Sequence, residues 1–263
     1  MCTVTTFPIM QAVFLGTGTS HGIPVIGCKC RVCLSPDPRN RRNRTGMWLR
    51  NDQASLIIDV SGDYRAGALR HGIDKLDGVL LTHAHSDHIS GLDDLRIYTQ
   101  LTGQAVPLYG DQGTLNDIQR RFDYAFTPAK EYGGGVPQYD LHEVSGPFSF
   151  GGFSITPLPV LHGPNPILGF RVGNFAFITD VTEIPDSTLA LMQGLDVLAL
   201  DCLRETPHST HLNFKQAVAY ARRIKARKTF FIHMCHDLEH VETEARLPPE
   251  IRLAYDGLEM EIN

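Results

Sequence analysis

The sequence has little of what a membrane-spanning or nucleic-acid-binding protein needs. No apolar run approaches the roughly 20 residues that cross a bilayer, so we expect no membrane partner. The 24 lysines and arginines are outnumbered by 29 acidic residues, and the net charge of −5 argues against general electrostatic binding of nucleic acid. Residues 1–10 have no basic start followed by an apolar core, which predicts a frayed N-terminal extension and no secretory signal.

A disulfide framework is also missing. Three of the six cysteines, Cys28, Cys30 and Cys33, are too closely spaced for one, and a chain of 263 residues can bury a sizeable core without cross-links. This favours a reducing cytoplasm. The three thiolates can instead take three corners of a zinc tetrahedron, which leaves the fourth to another part of the chain. The alternative is three reduced cysteines in a loop.

The composition, 42% hydrophobic with 24 glycines, is typical of an α/β protein with many tight turns. The length suits one large domain or two small ones. Asp256-Gly257 predicts a terminal hairpin turn. From apolar runs and helical periodicity we predict strands over 12–15, 55–58, 79–82, 106–109, 175–180, 197–200 and 229–232, several more within 139–158, and helices over 65–71, 88–99, 114–122, 185–192 and 214–226.

One segment organises the chain, because the buried run 79–81 leads directly into three histidines and an aspartate. His83 and His85 alternate, so on an extended backbone they point to the same side. Asp87 and His88 begin the turn into a helix and can reach a second point beside the first. This segment can therefore supply half the ligands of two adjacent metal sites, with side chains that suit zinc, manganese or iron.

Other polar side chains also follow apolar runs. Asp59 follows a predicted strand and either orients a metal ligand or caps a turn. His162 lies in a predicted loop after apolar residues, and His233 follows the last buried strand. Asp180 ends another strand, where a carboxylate can bridge two cations. Each of these residues alone would be an ordinary loop residue.

Three further segments have weaker signals. The turn 16–22 is rich in glycine, so its backbone N–H groups could approach an anion, although it lacks the Walker lysine pattern and a plain tight turn is as good an explanation. The basic run 39–44 suggests a solvated loop whose arginines pair with local carboxylates, with one or two left to face a pocket. His211 precedes the helix 214–226, where anions are favoured, and His208 is its rival.

The run from His83 to His88 reads His-x-His-x-Asp-His and resembles the signature of the metallo-β-lactamase superfamily. Within it, the sequence is most similar to the carbon–phosphorus lyase accessory phosphodiesterase family, which shares the Gly16-Thr17-Gly18 opening. The resemblance extends from Gly16 to about Gly257. It implies an α/β fold, the four-layer αβ/βα sandwich, in a single domain over residues 1–263 with a zinc-binding cysteine loop at 27–36.

The resemblance also assigns residues to roles. The ligands that it implies for two catalytic divalent metals, Mn²⁺ or Zn²⁺, are His83, His85, His162 and Asp180 around one ion and Asp87, His88, Asp180 and His233 around the other. The residues implied to bind one structural Zn²⁺ are Cys28, Cys30, Cys33 and His236. The catalytic residues are His211, as the acid, and Asp87. The substrate-binding residues are Thr19, Ser20 and His208.

The function implied is a dinuclear metal-dependent phosphodiesterase of phosphonate metabolism. It would hydrolyse small cyclic or ester phosphodiesters, similar to phosphoribosyl cyclic phosphate or nucleotides, through a metal-bridging hydroxide. The alternatives are a tRNA 3′-processing endonuclease of the same superfamily and a non-catalytic domain that binds metal or nucleotide. We see no extended basic arm of the kind that the nuclease uses to hold tRNA. A homodimer is suggested by the resemblance alone.

Overall fold

The computed structural model describes residues 9–126 and 135–262, whose strands form two seven-stranded sheets. In spatial order, the first sheet contains β14 (Glu259–Ile262), β1 (Met10–Gly16), β2 (Gly46–Arg50), β3 (Ser55–Ile58), β4 (Gly78–Leu80), β5 (Val106–Gly110) and β6 (Tyr139–Glu143). The second contains β13 (Ile251–Leu253), β12 (Lys228–Ile232), β11 (Val197–Asp201), β10 (Phe175–Ile178), β9 (Asn165–Val172), β8 (Phe153–His162) and β7 (Phe148–Phe150).

Short helices connect these strands. The α-helices are α1 (Tyr64–His71), α2 (Ser86–Ile89), α3 (Arg96–Thr102), α4 (Gln112–Arg121), α5 (Asp186–Leu191), α6 (Phe214–Ile224) and α7 (His240–Glu244), with 3₁₀ turns at Pro38–Asn40, Leu92–Leu95 and Asp123–Ala125. Gly72 ends α1 in the left-handed conformation, and Asn213 begins α6 with a capping box. Within the described ranges, no helix has both the length and the apolar character needed to cross a membrane.

The layers follow from strands that are buried on both faces. In β3, Leu56 and Ile58 pack into a core between the two sheets, while Ile57 points to the helices outside the first sheet. In β11, Leu198 likewise faces helices outside the second sheet, while Ala199 faces the central core. Side chains of alternating direction on doubly buried strands explain the unbroken apolar runs. Three cores separate four layers, and the predicted αβ/βα sandwich is confirmed.

Parallel pairing determines where the polar strand ends lie. Strands β3 to β6 are parallel to one another in the first sheet, and β10 to β13 are parallel in the second. The carboxyl ends of each parallel group therefore lie at one edge of its sheet. Asp59 follows β3 and His83 lies beyond β4, whereas Asp180 follows β10 and His233 follows β12. Each sheet thus delivers part of one site.

Several local predictions are wrong. The Asp256-Gly257 turn makes no hairpin, because β13 pairs in the second sheet and β14 in the first. The predicted helix 88–99 is interrupted at Gly91, where an added Cβ would lie 2.1 Å from the Ser61 carbonyl oxygen.

Two predicted boundaries also move. His162 is the last residue of β8 and does not lie in a loop, because β8 stays paired with β9 up to that residue. Met10 opens β1, so the predicted N-terminal extension ends earlier; its residues 1–8 lie outside the described part of the chain.

Candidate metal centre and active site

Three residues at the strand ends share an unusual backbone conformation. Asp59, Asp180 and His233 have φ angles of 60°, 54° and 57°, in the left-handed region that non-glycine residues rarely adopt. Asp59 and His233 directly follow the last residue of their strands, and Asp180 comes two residues after the last residue of β10. Such conformations cost about 1–3 kcal/mol each and cluster at functional sites. All three residues are at most 2% exposed, so the strain lies where these buried polar side chains meet.

The first predicted ligand group is assembled by both sheets. One potential ligand atom from each of its members lies within 4.8 Å of the others; they are His83, His85, His162 and Asp180. Asp180 Oδ2 is 3.9 Å from His83 Nε2. Three members are buried, and His85 is exposed to solvent. Three imidazoles and a carboxylate are the donors that zinc or manganese accepts.

The second predicted group is packed more tightly. Its members are Asp87, His88, Asp180 and His233. Asp87 Oδ2 lies 3.3 Å from His88 Nε2 and 3.5 Å from His233 Nε2. Asp180 Oδ1 lies 3.3 Å and 3.2 Å from the same two nitrogens. A tetrahedral ion with bonds of about 2.0–2.2 Å separates its ligand atoms by about 3.3–3.6 Å, so this donor set fits a divalent cation.

Asp180 connects the two groups through different oxygens. Its Oδ2 faces His83, and its Oδ1 faces His88 and His233. Thr179 Oγ1 also donates to Oδ1, at 2.6 Å. One carboxylate that directs each oxygen to a different cluster has the geometry of a bridging ligand.

The imidazoles are oriented by partners on their other ring nitrogen. His88 Nδ1 lies 2.7 Å from Asp59 Oδ2, and His162 Nδ1 lies 2.8 Å from the Thr210 carbonyl oxygen. These contacts fix the ring and direct Nε2 into the centre. The Nε2 atoms of His83 and His88 are buried without a hydrogen-bond partner. Buried nitrogens normally have a hydrogen-bond partner, so these two indicate coordination to a metal ion.

Burial and neighbouring charges also shift the pKa values of these ligand side chains. Burial holds the pKa of His83 well below its usual range, so this imidazole is neutral and has a lone pair available. Burial alone would raise the pKa of Asp180, but His233 and His88 hold it well below normal. The pKa of His88 is raised, because Asp180 and Asp59 outweigh its burial. Cation binding at His88 must therefore displace a proton.

His211 lies beside these groups and is oriented by a carboxylate. Its Nε2 is 3.9 Å from Asp180 Oδ2, and its Nδ1 is 3.3 Å from Asp201 Oδ1. Asp201 also accepts a hydrogen bond from Leu212 N at 2.8 Å and lies 3.5 Å from His233 Nδ1. The sequence alone assigns no role to Asp201. Its position could have indicated such a role, because Asp201 is the last residue of a buried strand. Asp59 and Asp180 lie just after the ends of similar strands.

The predicted substrate-binding residues lie on the loops around this cluster. His208 is half-buried, and its ring centroid is 5.1 Å from that of His211. Thr19 is 7% exposed, and its backbone N–H donates to the Met234 carbonyl, next to His233. Ser20 is exposed. The glycine-rich turn therefore packs against the strand end that carries His233.

The cysteine cluster also comes together as predicted. The three sulfur atoms lie 3.4, 3.7 and 3.4 Å from His236 Nδ1; their residues are Cys28, Cys30 and Cys33. A tetrahedral zinc with bonds of about 2.3 Å to sulfur and 2.0–2.1 Å to nitrogen would separate these atoms by about 3.6 Å. Burial raises the pKa of Cys33 to about 11, so zinc would displace protons as it binds.

Cys28→Ser is expected to lose one zinc per chain and to lower the thermal unfolding midpoint by about 5 °C or more. Loss of a structural metal is among the mechanisms that cost more than about 2 kcal/mol, and each kcal/mol shifts the midpoint of a domain this size by about 2–4 °C. Elemental analysis and calorimetry measure both effects. Cys235→Ser is the matched control, because Cys235 lies outside the cluster. Full zinc content in Cys28→Ser would contradict the assignment.

One arginine of the basic run contradicts the expectation of a solvated loop. Arg42 is 1% exposed, and its guanidinium donates to the carbonyl oxygens of Cys235 (2.9 Å) and Leu238 (2.7 Å). It therefore holds the chain on both sides of His236. The local charge pattern could not predict this, because the acceptors are nearly 200 positions away. Arg39 pairs with Asp37, as expected of a surface arginine.

Comparison with known proteins identifies the family to which the chain is similar. Residues 55–234 match the Beta-lactamase superfamily domain. A crystal structure of a new diphosphatase from the PhnP family is similar, with 41% identity, a TM-score of 0.90 and 97% of both chains covered.

Two relatives of known name are similar to this chain over only part of their own length. An octanoyltransferase of Porphyromonas gingivalis is 38% identical over 258 residues, which are 95% of this chain and 51% of that protein. The chain thus spans about half the length of that relative. A ribonuclease Z of Mycobacterium bovis is 28% identical over 197 residues, covering 65% of this chain and 68% of the nuclease.

Proposed function

Because the chain belongs to the metallo-β-lactamase superfamily, as a hydrolase of the PhnP type, we propose that it is a metal-dependent phosphodiesterase acting on small cyclic or ester phosphodiesters. The observation that carries the proposal is Asp180, whose two oxygens face two complete ligand groups. Similarity to a diphosphatase of the PhnP family supports phosphorus as the atom attacked.

The residues that would hold the catalytic ions are the two groups joined by Asp180, and manganese and zinc both suit their donors. When bound, a pair of divalent ions lowers the pKa of a shared water and stabilises charge on a phosphoryl group. The third ion, a structural zinc, would be held by the cysteine cluster and His236.

The protein's own side chains orient the reactants. We assign His211 as the acid: in its imidazolium form, Nδ1–H donates to Asp201 Oδ1, and the second proton, on Nε2, passes to the departing ester oxygen, which leaves a neutral imidazole. Asp87 presents Oδ2 to His88 and His233, which leaves Oδ1 to accept a hydrogen bond from the attacking water. The pKa of Asp87 is held low, because these two histidines outweigh its burial. Such a weak base orients water better than it removes a proton.

Elemental analysis together with a panel of substrates tests the proposal. We expect three metals per chain and hydrolysis of bis(p-nitrophenyl) phosphate, a cyclic ribosyl phosphate or cyclic nucleotides. A β-lactam and precursor tRNA should be left intact. If the fully metallated protein cleaves no diester, the non-catalytic alternative replaces the phosphodiesterase.

A tRNA 3′-processing endonuclease is the second candidate, since the ribonuclease Z of Mycobacterium bovis is similar over most of this chain. The net charge of −5 opposes it, because phosphate contacts dominate nucleic-acid binding. Cleavage of precursor tRNA without activity on small diesters would reverse the order. Acyl transfer is not carried over from the octanoyltransferase, half of which lies outside the match.

For the cellular setting, we propose a single-domain cytoplasmic enzyme of phosphonate metabolism that forms a homodimer. It would bind neither membranes nor nucleic acid. A reducing compartment suits the zinc-binding thiols, which oxidation would remove as ligands. Light scattering of the purified protein measures the oligomeric state.

A further inference from the structure

We propose that the protein has a second small-molecule site, which binds a phosphomonoester joined to a flat ring. It lies at the edge where β13 and β14 leave the central core open, in a cavity of about 300 Å³. The lining contains three cations, Arg39, Lys228 and Arg252, and the imidazole of His240. Ligand sites are typically cavities of this size or larger that combine apolar walls with a few polar groups.

The cavity lies where the two sheets end and away from the metal ligands. β13 is a terminal strand of the second sheet and β14 a terminal strand of the first. Phe230 and Leu258 are only partly buried against the central core, and both line the cavity. Lys228 begins β12, whereas His233 follows the end of the same strand, which has five residues. Since a strand rises about 3.3 Å per residue, about 16 Å separates the cavity from His233.

Two of the cations lie on the inner face of the second sheet. Arg252 is paired in register with Phe230, so their side chains share one face, and Lys228 lies two residues before Phe230 on the same face. Phe230 packs against the central core, so apolar side chains are expected there. Inward-pointing charges can protect an edge strand from pairing, but β12 is an interior strand between β11 and β13. Edge protection therefore does not explain Lys228.

The three cations keep hydrogen-bond donors for a ligand. Within residues 9–126 and 135–262, the ammonium of Lys228 contacts no acceptor. Arg252 Nε donates to Glu244 Oε1 at 2.8 Å, which leaves both Nη groups of Arg252 available. Arg39 donates to Asp37 through Nε and Nη2, which leaves its Nη1. Three positive charges therefore meet the two negative charges of Glu244 and Asp37, and the surplus favours an anion.

His240 adds unused hydrogen-bonding capacity to the cavity wall. The residue is 1% exposed, and its Nδ1 is buried without a hydrogen-bond partner. Its Nε2 lies 3.9 Å from Glu244 Oε2, beyond hydrogen-bond distance. Burial lowers the pKa of His240 to about 4, and Arg39 and Arg42 act in the same direction while Glu244 opposes them. The imidazole is therefore neutral at pH 7. A buried ring nitrogen without a partner, beside a cavity, indicates a ligand contact.

The chemistry of the lining selects the ligand class. Arginine N–H groups match the geometry of phosphate, and a phosphomonoester carries about 1.5 to 2 negative charges at pH 7, more than a carboxylate. Phe230 and Tyr255 add two half-buried aromatic rings to the wall. Aromatic rings pack against other rings in offset or edge-to-face arrangements. The site therefore fits a ligand that places a flat ring on the aromatic wall and a phosphate among the cations.

Calorimetric binding of adenosine 5′-monophosphate to the metallated protein tests the site. We expect a complex that is retained in Asp180→Asn, the variant that should lose the catalytic ions. In Lys228→Gln and in Arg252→Gln the dissociation constant should rise about 10- to 100-fold, because the loss of a charged hydrogen bond has an effect of this size. Adenosine and inorganic phosphate each lack half of the ligand and should bind at least about 10-fold more weakly. Arg41→Gln is the matched control, because Arg41 is exposed and lies outside the lining.

Thermal unfolding checks that the variants stay folded. Lys228 is exposed at the start of its strand, so Lys228→Gln should move the unfolding midpoint by less than about 2 °C. The inference would be overturned if the protein bound no adenosine 5′-monophosphate, or if binding were lost in Asp180→Asn and unchanged in Lys228→Gln. Benzoate binding as tightly as the nucleotide would also overturn the assignment to phosphate. A protein that binds the nucleotide through Lys228 but cleaves no diester would contradict the proposed function alone.

Discussion

Asp180→Asn is expected to lower kcat/KM on diesters by about 10³-fold or more and to remove catalytic metal from both sites. Asn keeps the size of the side chain but replaces one of its two oxygens with an N–H₂ donor, which cannot bind a cation. In Asp180 the two oxygens face different ligand groups, so a single replacement damages both. A bound pair of divalent ions would supply several kcal/mol to the reaction, and each 1.36 kcal/mol is tenfold in rate.

Metal analysis and thermal unfolding separate this effect from misfolding. We expect wild-type protein to be stabilised by added Mn²⁺ or Zn²⁺, since a ligand that binds only the folded state raises stability. In Asp180→Asn this stabilisation should disappear, while the structural zinc stays. Asp186→Asn is the matched control, because Asp186 is an exposed carboxylate on α5 in the same half of the fold. Two catalytic metals retained in Asp180→Asn would contradict the bridging role.

Local sequence pattern was sufficient for much of the fold and for the first cluster of histidines in the site. The predicted strand 55–58 matches β3 at both ends, because this run is apolar and bounded by polar residues. The predicted strand 175–180 begins with β10 but extends two residues too far, because β10 ends at Ile178 and the chain turns at Asp180, whose φ angle is 54°. His83 and His85 could be identified because their ligand chemistry is repeated within a few positions. The resemblance supplied His162, Asp180 and His233, and the structure brings all three to the first histidines.

What could not be predicted depends on contacts between distant segments. A carboxylate at a strand end caps a turn in one protein and orients a histidine in another. The role of Asp201 therefore depends on a contact that the sequence does not show, the distance of 3.3 Å between Asp201 Oδ1 and His211 Nδ1. Arg42 has a surface-like sequence context but a buried environment. The sheets to which β13 and β14 belong depend on pairing with β12 and β1, which a turn signal does not encode.

The two sheets meet at one imidazole. His88 Nδ1 contacts Asp59, which follows β3 in the first sheet, and its Nε2 faces Asp180, which follows β10 in the second. Both aspartates have the same left-handed backbone after a buried strand. Each sheet thus contributes a carboxylate of the same local design, and the position of His88 depends on how the sheets pack. The central core is therefore part of what shapes the site.

His211→Gln should lower kcat by about 10²–10⁴-fold on diesters with alkyl leaving groups while metal content stays constant. General acid catalysis contributes an effect of this size, and His211 belongs to neither of the two predicted ligand groups. The loss should be much smaller on bis(p-nitrophenyl) phosphate, whose nitrophenolate departs readily without a proton. Asp201→Asn should reduce kcat in the same direction, because it removes the carboxylate that faces Nδ1.

His208→Gln distinguishes His211 from its rival. His208 Nδ1 lies 3.2 Å from Thr210 N, within its own loop, so replacing it should affect KM more than kcat. The ratio of wild-type to variant kcat, compared between alkyl and nitrophenyl diesters, measures dependence on the acid. A ratio that is the same for both leaving groups would mean that His211 positions the substrate and donates no proton. A larger leaving-group effect in His208→Gln would move the acid to that residue, whose ring lies 5.1 Å from that of His211.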